Sequence, residues 1–118
     1  SFKPISRSEF VIRDVVNRGP LVLDNEKIQK LNYLDEIFWP QNLDDHDACL
    51  RAWIEHGWIS GAYWIEWTSE EKYGSTRKDA AKYQWFEQCN RENKLKLAER
   101  HKEYLISNKK HNQSRILL

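Results

Sequence analysis

A chain of 118 residues suits one compact domain, and with 40% apolar and 31% charged residues it can bury a core and is not of disordered composition. No apolar run approaches the roughly 20 residues of a membrane span, and two cysteines, Cys49 and Cys89, are too few for a disulfide framework. Net charge is +1, but residues 1–70 hold 7 Lys/Arg against 12 Asp/Glu and residues 71–118 hold 12 against 6, so an acidic body (−5) precedes a basic half (+6).

Ser1-Phe2-Lys3-Pro4 lacks the basic-then-apolar pattern of a secretory leader, and with reduced thiols the expectation is a cytoplasmic protein. Ser6-Arg7-Ser8-Glu9 has capping-box spacing, and Phe10, Val11, Ile12, Val15 and Val16 follow at helical intervals up to Gly19-Pro20. A first helix is therefore expected over about 7–18. Leu21-Val22-Leu23 suits only a short strand. Asp24 is a good cap for a second helix over about 25–34, on which Ile28, Leu31 and Leu34 recur at three. Ile37-Phe38-Trp39-Pro40 is an apolar linker, extended at Trp39 because a proline follows. Asp44 or Asp45 caps a third helix carrying Ala48, Cys49, Leu50, Trp53 and Ile54, and Gly57 ends it. The acids Asp44, Asp45 and Asp47 suit the positive end of that helix.

Four of the six tryptophans, Trp53, Trp58, Trp64 and Trp67, fall within fifteen positions. Residues 58–68 read as a short hairpin with a Ser60-Gly61 break and a second strand over about 62–68. Its two parities each carry tryptophan, more than one buried face explains. Trp53 and Trp85, on helical stripes, read as core. Thr76-Arg77-Lys78-Asp79 opens a last helix reaching about 107. Its middle, Asn90-Arg91-Glu92-Asn93-Lys94, is devoid of apolar residues, so either one helix leaves the body in mid-course or two meet near Asn93. Residues 108–115 read as a mobile basic end.

The order of helix, short strand, helix, helix, strand, turn, strand, long helix, with Leu50-Arg51-Ala52-Trp53-Ile54-Glu55-His56-Gly57-Trp58-Ile59 at its centre, resembles the winged-helix family of DNA-binding domains over about 6–68. The resemblance implies a mainly α protein with a small β-hairpin (α+β): a winged-helix-like body over 1–75, a projecting C-terminal helix over 76–107 for dimerisation or packing, and a basic flexible tail over 108–118. It implies a non-enzymatic regulator or replication accessory that binds DNA, as a homodimer through the C-terminal helix.

The third helix would present Asp44-Asp45-His46-Asp47 to phosphates, which opposes binding. DNA contact therefore falls to the basic half, to Arg77, Lys78, Lys82, Arg91, Lys94, Lys109 and Lys110, although Glu87, Glu92, Glu99 and Glu103 interleave with the cations as on a solvated helix. The alternative is a small protein inhibitor or adaptor of phage type. Its aromatic hairpin (Trp58, Tyr63, Trp64, Trp67) and acidic helix (Asp44, Asp45, Asp47) would meet a basic partner surface. No cofactor or metal is expected: His46 and Cys49 are three apart, but no Cys-x-x-Cys pair accompanies them. No phosphate loop, nucleophile elbow or zinc-protease motif points to catalysis.

Overall fold

The computed structural model describes residues 5–17, 21–39, 42–66, 84–107 and 115–117. The chain runs β1 (Glu9–Arg13), α1 (Asn25–Lys30), a 3-10 turn (Glu36–Phe38), α2 (Asp44–His56), β2 (Ser60–Tyr63), α3 (Gln84–Arg100), α4 (Lys102–Ile106) and β3 (Arg115–Leu117). It is mainly α with a small antiparallel sheet, and among the described residues no helix is long and apolar enough to cross a membrane.

The segment expected as a first helix is the central strand. β1 pairs antiparallel with β2 (Phe10↔Tyr63 to Arg13↔Ser60) and with β3 (Glu9↔Leu117 to Val11↔Arg115), giving the order β2-β1-β3. Half of the capping box forms: the Ser6 N–H donates to Glu9 Oε1 at 3.2 Å, while the Glu9 N–H donates to the Ser6 backbone carbonyl at 3.2 Å and the Ser6 hydroxyl meets Ser8. They close a turn that feeds a strand, because Phe10, Val11 and Ile12 gain two neighbouring strands and bury Val11 and Ile12. The strand expected at Leu21-Val22-Leu23 is absent. These residues are irregular, and Val22 is 74% exposed.

α1 starts where expected, with Asp24 accepting from the Lys27 N–H at 2.9 Å, but stops at Lys30, since Asn32 and Tyr33 turn the chain at positive φ. Asp35 caps the 3-10 turn through the Ile37 N–H, and Phe38 is buried while Trp39 is extended and exposed. α2 spans its expected length and ends on Gly57 in the left-handed region. Its N-cap is Leu43, which makes no side-chain cap bond, while the Asp44 and Asp45 carboxylates accept from the Asp45 and His46 N–H groups of the first turn. Of the expected hairpin, β2 runs through the Ser60-Gly61 break, and its ladder partner is the distant β1; Trp67 and Thr68 lie outside the described residues. The core gathers Val11, Ile12, Leu31, Phe38, Ala48, Cys49, Leu50 and Ala52.

The C-terminal helix does not project. α3 lies on the body through its polar middle. Asn93, buried, donates to the Phe38 carbonyl at 2.8 Å and the Asn42 carbonyl at 3.2 Å, and the Lys96 ammonium donates to the Ile37 carbonyl at 2.8 Å. Two of its apolar members face out, Leu95 at 71% and Trp85, stacked on the half-buried Phe86, at 47% exposed, so Trp85 is not core. The helix breaks at His101, not at Asn93. Tyr104 on α4 donates to Asp14 at 2.6 Å, just beyond β1. Of the tail expected to be mobile, Arg115–Leu117 is a strand of the sheet, and 108–114 lie outside the described residues.

At the joint of α2, α3 and α4, the fully buried Asp47 accepts from Arg51 Nε at 2.8 Å, Arg100 Nη1 at 3.2 Å and His101 Nε2 at 2.7 Å. Burial pushes the Asp47 carboxyl up, but His101, Arg51 and Arg100 together outweigh it and hold it below its ordinary 3.8. Because the native value lies below the unfolded one, this stabilisation is complete above pH 3.8 and disappears as pH falls through the native value. Asp47→Asn is therefore expected to cost about 3–5 kcal/mol near neutral pH by leaving the largely buried Arg51 without a carboxylate partner and Arg100 with Asp35 alone, and to flatten the acid limb of stability against pH. Denaturant titrations of both proteins between neutrality and strong acid measure both effects; equal slopes would refute the assignment. Asn93→Leu, which orphans two carbonyls, is expected to lower stability by about 1–3 kcal/mol in the same assay.

Candidate protein-binding cleft

Three consequences of local sequence build a hollow between α1, α2 and β2. α2 turns Ala48, Cys49 and Ala52 toward the sheet, and small side chains leave the space in front of them open. β2 is equally small at Ser60, Gly61 and Ala62. The irregular Leu21–Asp24 stretch and α1, with Ile28 and Leu31, form the opposite wall. The result is a cleft of about 740 Å³, open to solvent on one side and mostly apolar in its lining.

Its rim is aromatic. Trp58 is half-buried and stacks on His56 with ring centroids 4.0 Å apart and planes 12° apart, while the Lys27 ammonium sits 5.7 Å above its ring. Trp64 is exposed, with the Arg7 guanidinium 4.2 Å over it. Tyr63 is exposed and packs obliquely on Phe10 at 6.5 Å. Asp24 and Asp45 are the acids of the lining and Lys27 its cation. The Lys27 backbone N–H is the largest of the influences that hold the Asp24 carboxyl below its ordinary range, so it is anionic at neutral pH.

The structure thus brings Trp58, Tyr63, Trp64 and Asp45 together. Asp44 is half-buried in the first turn of α2, and Trp67 lies outside the described residues. Asp47 is not on this face: it is buried on the far side of α2, against α3 and α4, and its charge is used within the protein. Of the cations expected to meet nucleic acid, Arg91 and Lys94 are exposed on α3, and Arg77, Lys78, Lys82, Lys109 and Lys110 lie outside the described residues. Sequence reasoning missed Val22, Leu23 and Ile59, which line the cleft. The first two carried a signal, an apolar run too short for a stable strand.

Asp47 and His101 form a carboxylate–imidazole pair, but among the described residues no hydroxyl or thiol is hydrogen-bonded to His101, so the pair activates no nucleophile there. Among the described residues no three His, Cys, Asp or Glu side chains cluster as metal ligands.

Gly61 sets the depth of the cleft. A Cβ there would overlap the Val11 carbonyl oxygen and the Phe10 ring, so only glycine lets β2 lie this close to β1. Gly61→Ala is expected to cost about 1–3 kcal/mol and to loosen β2 from β1, read as a lower Tm and faster amide exchange at Val11 and Ile12. Unchanged exchange would show that the backbone accommodates the methyl. No protein-family model, curated protein or solved structure matches this chain.

Proposed function

We propose that the protein is a non-enzymatic binding module of the inhibitor or adaptor kind, and that the apolar cleft with its Trp58, Tyr63 and Trp64 rim receives a partner protein. The observation that carries this reading is the rim itself. Large aromatic side chains stand exposed around a hollow already built, and such residues concentrate the binding energy of protein interfaces. The cleft holds few charges, whereas a nucleic-acid surface requires cations to displace counterions. Two cations of the basic half serve internal purposes: Arg100 is bonded to Asp35 and Asp47, and Lys96 to the Ile37 carbonyl. Arg91 and Lys94 are the exposed pair on which the DNA-binding reading rests among the described residues.

A photo-crosslinking residue in place of Trp64 is expected to trap one partner protein in the cells that make this chain. The same residue in place of Leu95, exposed on α3, is expected to trap none. Trp64→Ala is expected to weaken capture by about 2 kcal/mol, in the range of interface anchors, and Arg91→Ala with Lys94→Ala to leave it unchanged. Salt-dependent retention on DNA that disappears in the double variant and survives in Trp64→Ala would assign the function to nucleic acid instead.

A further inference from the structure

The three aromatic rings of the rim are not held alike. Tyr63 packs obliquely on Phe10 at 6.5 Å, and Trp64 meets the Arg7 guanidinium at 4.2 Å; both rings are exposed. Trp58 is half-buried and is fixed from its backbone outward. Gly57 ends α2 in the left-handed region at φ 68°, and two bonds close the turn. The Gly57 N–H donates to the Trp53 carbonyl at 2.8 Å, and the Trp58 N–H donates to the Ala52 carbonyl at 3.0 Å. This turn sets the direction in which Trp58 leaves the helix. Its ring then lies face to face with His56, centroids 4.0 Å apart and planes 12° apart. The Lys27 ammonium, which also stands 4.0 Å from Asp24, is 5.7 Å from the indole centroid.

A side chain that is free before binding loses that freedom when a partner covers it, and one already held does not. Trp58 lines the cleft and His56 does not. Resting on the proposed protein-binding role, we infer that Trp58 is the preset anchor of the cleft and that His56 is its positioning residue, acting on the partner only through the indole on which it stacks. Lys27 adds a second hold from α1.

A role of His56 confined to the helix would have a different origin. An imidazole in the last turn of α2 meets the negative end of the helix dipole, and its Nε2 stands 3.9 Å from Glu55. Phenylalanine at position 56 keeps a flat ring against the indole and removes both of those electrostatic contacts, whereas alanine removes all three. The pair of variants therefore separates stacking from charge.

The test compares the full chain with His56→Ala and His56→Phe. Order of the Trp58 side chain is read from nitrogen relaxation of its indole N–H. Affinity is read by competition, each untagged chain being added against the chain that carries the crosslinker at position 64, and the concentration that halves capture of the partner is measured. His56→Ala is expected to mobilise the indole and to raise that concentration about threefold to tenfold, the cost of immobilising one side chain on binding. His56→Phe is expected to restore both readings to those of the unaltered chain. An indole equally ordered in His56→Ala overturns the positioning role. So does unchanged competition by His56→Ala once its indole is mobile, and so does equal weakening by alanine and phenylalanine, which assigns His56 to the charge of the helix end. If position 64 traps no protein, the protein-binding reading fails by itself, and indole order in the two variants alone decides whether His56 holds Trp58.

Discussion

The carboxylate of Asp47 sits wholly inside the protein, and four segments are arranged around it. Burying an isolated carboxylate costs several kcal/mol, so the surroundings must return that energy through geometry. Arg51 does so from the next turn of α2, and Arg100 and His101 from the α3–α4 break. Each cation has a second task. Arg51 also donates to the Leu31 carbonyl at 2.5 Å and the Tyr33 carbonyl at 2.8 Å, fixing the turn at the end of α1, where Asn32 and Tyr33 hold positive φ. Arg100 also donates to Asp35 at 2.8 Å, and Asp35 caps the 3-10 turn that inserts Phe38 into the core. One buried charge therefore sets where α1 ends, where the 3-10 turn lies and where α3 docks.

This arrangement explains how a helix with an exposed Leu95 and Trp85 can be held to the body at all. Apolar burial is not the attachment; a row of charge-assisted and amide bonds along Asn93, Lys96, Arg100 and His101 is. Such bonds are directional, so they fix rotation and register in a way a greasy interface does not. α2 consequently presents two distinct faces. Asp47 looks to α3 and α4 and Arg51, one turn on, reaches the end of α1, while Ala48, Cys49 and Ala52 look to the cleft. The hub behind α2 is what keeps the small residues in front of it aimed at β2.

Legibility followed the range of the interactions. α2 was readable because its signals are local: acids in the first turn, an apolar stripe and Gly57 in the left-handed region at its end. The Asp24 cap and the extended Trp39 were readable for the same reason. β1 was not, because the Ser6–Glu9 box and the spacing of Phe10, Val11 and Ile12 fit a helix locally, and the partners that decide otherwise, Ser60–Tyr63 and Arg115–Leu117, lie about fifty and a hundred residues away. The docking of α3 was hidden by the same logic in reverse. Its polar middle reads as solvated when only its own sequence is considered, and it is the attached face because Phe38, Asn42 and Asp47 offer acceptors there. Of the cleft, the aromatic rim was visible in composition, while Val22 and Leu23 became part of it through an irregular backbone that periodicity does not describe.

Stability and the proposed recognition are thereby assigned to opposite sides of α2. The hub consists of polar and charged groups whose mutual geometry tolerates little change, since loss of Asp47 takes the carboxylate from Arg51 and loss of a donor leaves the buried carboxylate less fully satisfied. The cleft consists of side chains that are exposed or line open space, and removing an exposed side chain forfeits little folding energy. Trp58, Tyr63 and Trp64 bring rigid, large surfaces to that rim at low entropic cost on binding. The exposure is itself unfavourable, and among the described residues the guanidinium of Arg7 lies over the Trp64 indole. The density of tryptophan that first distinguishes the chain divides by location: Trp58 and Trp64 line the hollow, Trp39 and Trp85 are exposed elsewhere on the surface, and Trp53 lies beside Arg100 and His101 at the hub.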